Sequence, residues 1–229
     1  MLYVYGLLRQ QPGATLGSGV SGEPVVIARC RPLLAAVGEM ADVPPPGAAS
    51  LQRHDAVVRR LARLVDAVLP ARYGSAVADE AALCRAISAP AAELVEALAL
   101  VAGREQMTLR VFGKRPRASR PARAPESGPG AAYLRERADA DRALREAVKP
   151  LLEAVAPLID AERVDYAEER ASGRAKATRT LLASVHHLVR RGRARAYVKA
   201  VASASRRLRV KGRVSGPSPA YAFAPDVAR

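Results

Sequence analysis

The sequence has few of the residues on which most metal and catalytic centres depend. Its 229 residues include three histidines, two cysteines and no tryptophan. The histidines are His54, His186 and His187. Neighbouring residues of a strand point to opposite faces, so His186 and His187 cannot serve one site. No H-x-x-x-H, H-E-x-x-H or closely spaced cysteine pair is present, and the sequence therefore predicts no metal site.

Catalytic motifs are also missing. The sequence contains neither a G-x-S-x-G elbow nor a Walker loop. The nearest approach to paired carboxylates is given by Glu168 with Glu169 and by Asp139 with Asp141, and both pairs lie among arginines. Such a setting favours solvated ion-pair networks over acid–base chemistry. We therefore expect a protein that is not an enzyme and that uses no cofactor and no small-molecule substrate.

One glycine-rich stretch has the form of a nucleotide-binding motif. Residues 17–22, G-S-G-V-S-G, match G-x-G-x-x-G. A dinucleotide site requires this motif to follow a strand tightly and to begin a helix, whose N-terminus binds the pyrophosphate. Here a proline-containing loop precedes the motif and the strand-like residues 23–28 follow it. The stretch is therefore predicted to be a loop without a bound cofactor.

The two cysteines are Cys30 and Cys84, and both lie in apolar stretches. Because their spacing is not C-x-x-C, we expect buried free thiols and neither a disulfide nor a metal site. No apolar run approaches the roughly 18 residues that a membrane span needs. The first residues lack the basic region of a signal peptide. These features predict a cytoplasmic protein that makes no membrane contact.

Acidic residues are missing from one long stretch near the C-terminus. No Asp or Glu lies between Glu169 and Asp226, and residues 128–229 carry 21 basic against 11 acidic side chains, whereas residues 1–112 carry 11 against 10. Ten basic residues occupy positions 190–213: Arg190, Arg191, Arg193, Arg195, Lys199, Arg206, Arg207, Arg209, Lys211 and Arg213. The simplest interpretation is a solvated face. An acidic protein surface is the main functional alternative.

Nucleic acid is the second partner that such a basic cluster suggests, because Lys and Arg neutralise phosphates. Aromatic residues, which stack bases, make up only 4% of the chain. No known nucleic-acid-reading motif accompanies the cluster. A basic nucleic-acid-associated protein that uses the 190–213 face therefore stays open as the alternative function, although we expect nucleic acid to be the less favoured partner.

Apolar periodicity predicts mixed secondary structure throughout the chain. In the first part, strands are expected at residues 2–8, 25–30, 33–37, 68–73 and 105–112, and helices at 50–68, 79–87 and 91–101. In the last part, strands are expected at 163–168, 180–189 and 208–214, and a helix at 192–206. Between them a long helical stretch ends near Ile159, and Pro150 and Pro157 should kink or split it.

These elements predict an α+β protein with two small domains. The first covers residues 1–112, and the second covers residues 128–229 and includes the long helical hairpin or kinked helix. Each domain is expected to contain a mainly antiparallel sheet with helices on one face, for which a ferredoxin-like arrangement is one candidate. Residues 113–127 are basic, proline-rich and without periodicity, which predicts a flexible linker.

Three stretches of the sequence resemble one protein family. Residues 69–83, L-P-A-R-Y-G-S…D-E-A-A-L, resemble the signature P-x-R-[FY]-G-[ST]…D-E-x-x-L of the gas vesicle GvpF/GvpL family. The first residues, M-L-Y-V-Y-G, are similar to its opening strand, M-x-Y-V-Y-G. Residues 216–223, G-P-S-P-A-Y-A-F, are similar to its terminal G-P-W-P-x-Y-x-F, with Ser218 in place of the usual tryptophan.

The resemblance implies a gas vesicle accessory or minor structural protein with no enzymatic activity. Such a protein would bind the small hydrophobic major shell protein, associate with other gas vesicle accessory proteins, support gas vesicle assembly and be found in the cytoplasm with gas vesicles. Arg72 lies in the signature, where it would either anchor a loop or contact a partner. The candidate partner-binding residues are Arg72, Arg191, Arg193, Arg195, Arg209, Lys211 and Arg213.

Overall fold

The structure, a computed structural model, describes residues 1–113, 129–166, 180–208 and 211–225. It divides the chain into two compact units, Met1–Gln106 with Pro217–Arg229, and Met107–Gly216. The C-terminal segment thus belongs to the first unit, whereas the predicted second domain included it. Apart from Gly113, the predicted linker at 113–127 lies outside the described residues.

The first unit contains a sheet of five strands. They are β1 (Leu2–Leu8), β2 (Val25–Cys30), β3 (Leu33–Glu39), β4 (Val68–Pro70) and β5 (Ala76–Val77). Their order is β2-β3-β1-β4, and β5 also pairs with β1. All these pairings are antiparallel. The strands predicted at residues 2–8 and 25–30 are confirmed, and β3 extends the predicted strand to Glu39.

Three helices complete the first unit: α1 (Ala48–Leu64), α2 (Glu80–Ser88) and α3 (Ala91–Val101). Asp79 caps α2, because its Oδ1 accepts a hydrogen bond of 2.7 Å from the Ala82 N–H. Tyr3 of β1 packs in one cluster with Leu61 of α1. On the opposite side of β1, Leu7 faces Leu83 of α2. This sheet therefore has helices against both of its faces.

A bulge in β1 brings β4 close to it. The register of β1 against β3 shifts between Val4 and Gly6, and Gly6 then lies opposite Pro70 of β4. A Cβ atom on Gly6 would lie 2.8 Å from the Leu69 carbonyl oxygen. Glycine at this position therefore permits a backbone approach that a side chain would prevent.

The second unit follows the order β-α-β-β-α-β. Its elements are β6 (Arg104–Gly113), α4 (Pro129–Val155), β7 (Ala161–Tyr166), β8 (Thr180–Arg190), α5 (Ala194–Leu208) and β9 (Lys211–Ser218). The strand order is β7-β8-β6-β9. This succession and strand order are those of the ferredoxin-like, or split βαβ, motif. The α+β prediction is thus confirmed.

One side of the second sheet is covered by α4 and α5. Their inward residues form a core with alternate residues of β6 and β8: Met107, Leu109, Val111, Leu144, Val148, Leu151, Val155, Ala183, Val185, Tyr197, Val201 and Ala204. Helix α4 continues through Pro150. It ends before Pro157, which lies in a 3-10 turn at Ala156–Leu158. None of the described helices combines the length and apolar character needed to cross a bilayer.

The cysteines depart from the prediction. Cys30 and Cys84 form a disulfide with a Cα–Cα distance of 4.8 Å, so the prediction of free thiols is wrong. Cys30 ends β2, and Cys84 lies in α2, which packs beside that strand. The two positions are 54 residues apart. The local pattern around each cysteine carries no information about this pairing.

Candidate functional site

Two of the three motif stretches line one small cavity in the first unit, and Pro225, two residues beyond the third stretch, lines it as well. We call this space the motif cavity. Its lining comes from β1, from the segment that begins in β4, from β5 and α2, and from the C-terminal segment: Val4, Leu7, Leu69, Pro70, Ala71, Arg72, Ser75, Val77, Leu83, Ala86 and Pro225. Stretches at both ends of the chain and in its middle therefore contribute to a single site.

The walls of the motif cavity are mostly apolar, and among the described residues that line it only Arg72 has an ionisable side chain. Arg72 is exposed, whereas Leu69 and Leu83 are almost completely buried. The backbone around the cavity already has partners, since the Ala71 N–H donates to the Tyr5 carbonyl at 3.0 Å. The apolar walls suit a small apolar group, and the Arg72 guanidinium carries a positive charge beside them. Arg72, the first of the predicted partner-binding residues, therefore lies at the motif cavity.

Behind this segment, a buried histidine joins three parts of the first unit. His54 Nε2 lies 3.1 Å from the Ala71 carbonyl oxygen, which can only accept, so Nε2 carries the proton. His54 Nδ1 then accepts from the Tyr3 hydroxyl at 2.9 Å. That hydroxyl in turn accepts from the Gly74 N–H at 3.1 Å. Burial lowers the pKa of His54 and favours this neutral form.

Tyr73 of the signature motif has a structural contact of its own. Its hydroxyl donates to the Pro44 carbonyl oxygen at 2.7 Å, and its ring stands edge-on to that of His54, with 5.7 Å between the ring centres. Together with the Gly74 hydrogen bond, these contacts fix the chain on either side of the turn that presents Arg72. The aromatic and glycine positions of the motif therefore hold the loop, and the Arg72 side chain is exposed beside them.

The glycine-rich loop at 17–22 encloses a side chain of its own protein. The Glu23 carboxylate accepts from the Tyr5 hydroxyl and, at 2.9 Å, from the Ser21 N–H. The Gly19 N–H donates to the Glu23 carbonyl at 2.7 Å. A Cβ atom on Gly19 would overlap the carboxylate. The loop is thus occupied by Glu23, and strand β2 follows it instead of the helix that a dinucleotide site requires.

The C-terminal segment is held on the first unit by polar contacts with α1. The Tyr221 hydroxyl donates to Asp55 Oδ1 at 3.2 Å. Arg59 contacts Asp55 Oδ2 at 2.6 Å, and its terminal nitrogen donates to the Pro217 carbonyl oxygen at 3.0 Å. Burial and the neighbouring Asp55 raise the pKa of Tyr221. The tyrosine of the terminal motif therefore attaches the end of the chain to α1.

A second attachment of this segment passes through Gln106, which is buried. Its Oε1 accepts from the Ala222 N–H at 2.8 Å, and its carbonyl oxygen accepts from the Ser218 hydroxyl at 3.3 Å. Phe223 of the same segment is buried, with 2% of its surface exposed. Sequence analysis did not single out Gln106, because its partners lie 112 and 116 residues away.

In the second unit, a histidine links two strands and a helix. His187 Nδ1 lies 2.6 Å from the Tyr197 hydroxyl of α5, and Nε2 lies 2.8 Å from Glu162 Oε2 of β7. Burial lowers the pKa of His187 although Glu162 opposes this effect, and it raises the pKa of Tyr197. Both His187 and Tyr197 are 0% exposed, so a substrate has no access to this hydroxyl.

His186 faces the other side of the sheet, as the sequence predicts. Its Nε2 lies 3.4 Å from Asp165 Oδ2 and its Nδ1 lies 3.1 Å from Thr108 Oγ1. The two neighbouring histidines therefore have separate partners and share no site. Within the described ranges, no group of three or more His, Cys, Asp or Glu residues could hold a metal ion.

The predicted basic residues fall into separate groups. Arg191, Arg193 and Arg195 are exposed where β8 turns into α5. Lys211 and Arg213 are exposed in β9. Gly212, which lies between them, packs towards Ser205 of α5, so Lys211 and Arg213 point away from that helix. Arg209 lies outside the described residues, and Arg72 belongs to the first unit.

Of the two acidic pairs, Asp139–Asp141 and Glu168–Glu169, the structure describes the side chain of Asp139. Asp139 lies 3.7 Å from Arg142, and both side chains are at least half exposed, which agrees with the predicted solvated ion pair. Nothing is described for the side chain of Asp141. Glu168 and Glu169 lie outside the described residues.

Comparison with known proteins gives one family and one fold. The family model described as gas vesicle synthesis protein GvpL/GvpF matches residues 1–225. The crystal structure of GvpF from Anabaena sp. PCC7120 is similar with a TM-score of 0.73 and 15% identity, covering 98% of this chain and 95% of that one. GvpF from Microcystis aeruginosa is similar with a TM-score of 0.73 and 14% identity, covering 98% of each chain. No curated protein sequence matches the chain at a significant level.

Proposed function

The chain belongs to the GvpL/GvpF family of gas vesicle synthesis proteins, and from this premise we propose that it is a non-enzymatic accessory protein that binds the major gas vesicle shell protein and supports its assembly. A shell subunit that turns an apolar face towards gas exposes that face to water before assembly, and such a surface promotes aggregation. An accessory protein that covers the apolar face would keep the subunit in solution until it joins the shell. We place this activity in the cytoplasm, with other gas vesicle proteins as further partners.

The observation that carries the proposal is the position of Arg72 of the signature motif at the motif cavity, which Val4 of the opening motif also lines. Arg72 is exposed beside the apolar walls of this cavity. We propose that the cavity receives an apolar side chain of the shell protein. Arg72 would then pair with a neighbouring carboxylate of the same protein.

The basic residues of the second unit have a different proposed role. Arg191, Arg193 and Arg195 at the start of α5, together with Lys211 and Arg213 of β9, would attract acidic partner surfaces during the encounter. The described segment 180–225 contains no acid in its sequence. Long-range attraction of this kind acts on the association rate and is screened within about 10 Å at 0.1 M salt. Raising the salt concentration should therefore slow association more than it weakens the final complex.

Binding of purified shell protein, kept in solution with a mild detergent, tests this function. We expect the wild-type chain to bind, and Arg72→Ala to weaken binding by about 1 kcal/mol, roughly fivefold in Kd. Arg53→Ala is the matched control, because Arg53 is an exposed arginine of α1 that does not line the cavity. The proposal is contradicted if the wild type does not bind, and the assignment of Arg72 is contradicted if both variants bind equally.

A further inference from the structure

The disulfide holds α2 at the end of an edge strand. Strand β2 is the last in the sheet order and pairs with β3. Cys30 at its end is 3% exposed, whereas Cys84 on α2 is only partly buried. Helix α2 has nine residues and buries Leu83 and Ile87. A helix this short depends on tertiary contacts for its stability, and the covalent link to β2 is one of those contacts.

The same helix forms one wall of the motif cavity. Leu83 and Ala86 of α2 line the cavity, while Cys84 between them bonds to β2. Successive residues of a helix point in different directions, so α2 lines the cavity with one face and is bonded to β2 through another. Breaking or forming the disulfide therefore changes the mobility of this wall of the cavity.

We propose that Cys30 and Cys84 form a reversible thiol–disulfide site that sets the mobility of α2 and thereby the access to the motif cavity. The co-reactant is a small thiol such as glutathione, together with its disulfide. With the bond formed, α2 is fixed to β2 and the cavity wall is rigid. With the bond reduced, the first unit keeps its fold and α2 moves more freely. The inference concerns the cavity wall and stands whether or not the shell protein is the ligand.

The exchange needs two molecules of the small thiol. A thiolate of the first attacks the Cys84 sulfur, which is the less buried of the two. The Cys30–Cys84 bond breaks, and Cys30 leaves as a thiolate that takes up a proton. A second thiolate attacks the sulfur of the first small thiol in this mixed disulfide, which forms the disulfide of the small thiol and releases Cys84 as a thiolate that takes up a proton. The two electrons gained by the protein equal the two lost by the reagent.

A glutathione titration of the full chain tests the proposal. Samples are equilibrated in buffers with different ratios of reduced to oxidised glutathione, their free thiols are labelled with a maleimide, and the labels are counted by mass spectrometry. Hydrogen exchange of the same samples is measured for individual peptides. We expect both thiols to disappear together as the buffer becomes oxidising. In the reduced protein, amides of residues 80–88 and 25–30 should exchange about tenfold faster or more. Amides of β8 and α5 in the second unit should be unchanged, which provides an internal control.

The variant Cys84→Ser separates the disulfide from other effects of glutathione. Cys84 is chosen because it is the less buried cysteine, and the variant should exchange like the reduced wild type in every buffer. The proposal is overturned if both thiols remain labelled in oxidised glutathione, or if residues 80–88 exchange equally in both forms. It is also overturned if reduction unfolds the whole first unit, because the disulfide is then purely structural. If the variant does not fold, the wild-type titration alone decides.

Discussion

Replacing Gly6 by alanine tests the close contact between β1 and β4 that shapes the motif cavity. The new Cβ atom would lie 2.8 Å from the Leu69 carbonyl oxygen and 3.1 Å from a methyl group of Val68. The nearer obstacle is backbone, so relief requires the two strands to separate. Overpacking of this kind costs about 1–3 kcal/mol, and the reduced freedom of the unfolded chain returns about 0.4–1 kcal/mol. We expect a net loss of about 1–2 kcal/mol in the free energy of unfolding.

Thermal and urea denaturation followed by circular dichroism measure this loss. For a chain of this size, 1 kcal/mol corresponds to about 2–4 °C in Tm. Gly13→Ala is the matched control, because a Cβ atom on Gly13 would meet nothing within 4 Å and its φ lies outside the left-handed region. The control should be neutral or slightly stabilising. Equal stability of the two variants would refute the argument, since the contact at Gly6 would then not be tight.

Three further predictions follow from the buried histidines and the basic surface. Burial lowers the pKa of His54 and His187 in the folded protein, so below the ordinary histidine pKa of 6.5 the unfolded chain binds more protons than the folded one. The free energy of unfolding, measured in urea, should therefore have its full value above pH 6.5 and decrease as the pH is lowered through 6.5. A flat profile between pH 8 and 5.5 would contradict this. The variant Tyr197→Phe leaves Nδ1 of His187 without its hydrogen-bond donor, and the free energy of unfolding in urea should fall by about 1–3 kcal/mol. A decrease below about 0.5 kcal/mol would show that this hydrogen bond contributes little. The double variant Arg193→Glu with Arg195→Glu should associate with the shell protein about tenfold more slowly than the wild type at low salt, and the difference should be far smaller at high salt. Stopped-flow mixing measures these rates, and a slowing that does not depend on salt would argue against electrostatic attraction.

The elements that follow local rules could be predicted from the sequence. Helix α3 has the predicted bounds, because helical periodicity depends on residues only a few positions apart. The strand at residues 2–8 is predictable for the same reason. Strand β4 is less so: it ends at Pro70, and Tyr73, predicted to lie in that strand, instead belongs to the turn that holds Arg72.

Contacts between distant parts of the chain could not be predicted in this way. The prediction of free thiols failed because Cys30 and Cys84 are brought together by the packing of α2. His54 is recognisable as a core residue from its helix face, but its partner Tyr3 lies 51 residues away. Pairings at such separations depend on the tertiary fold, about which local patterns say nothing.

The candidate site was only partly visible in the sequence. The signature motif identifies Arg72, and three-dimensional structure is needed to find the cavity that it borders. The basic cluster at 190–213 reads as one feature in the sequence, yet the second unit divides it. Arg193 lies at the start of α5 while Arg213 points away from that helix. A charge count contains no information about which side of a sheet each residue occupies.

The most direct test of the central claim is the solubility of the major shell protein when it is expressed with and without this chain. After ultracentrifugation, we predict that the shell protein remains in the supernatant only when the chain is present, and that the two elute together in size-exclusion chromatography. The claim is contradicted if the shell protein pellets equally in both cases and this chain elutes alone.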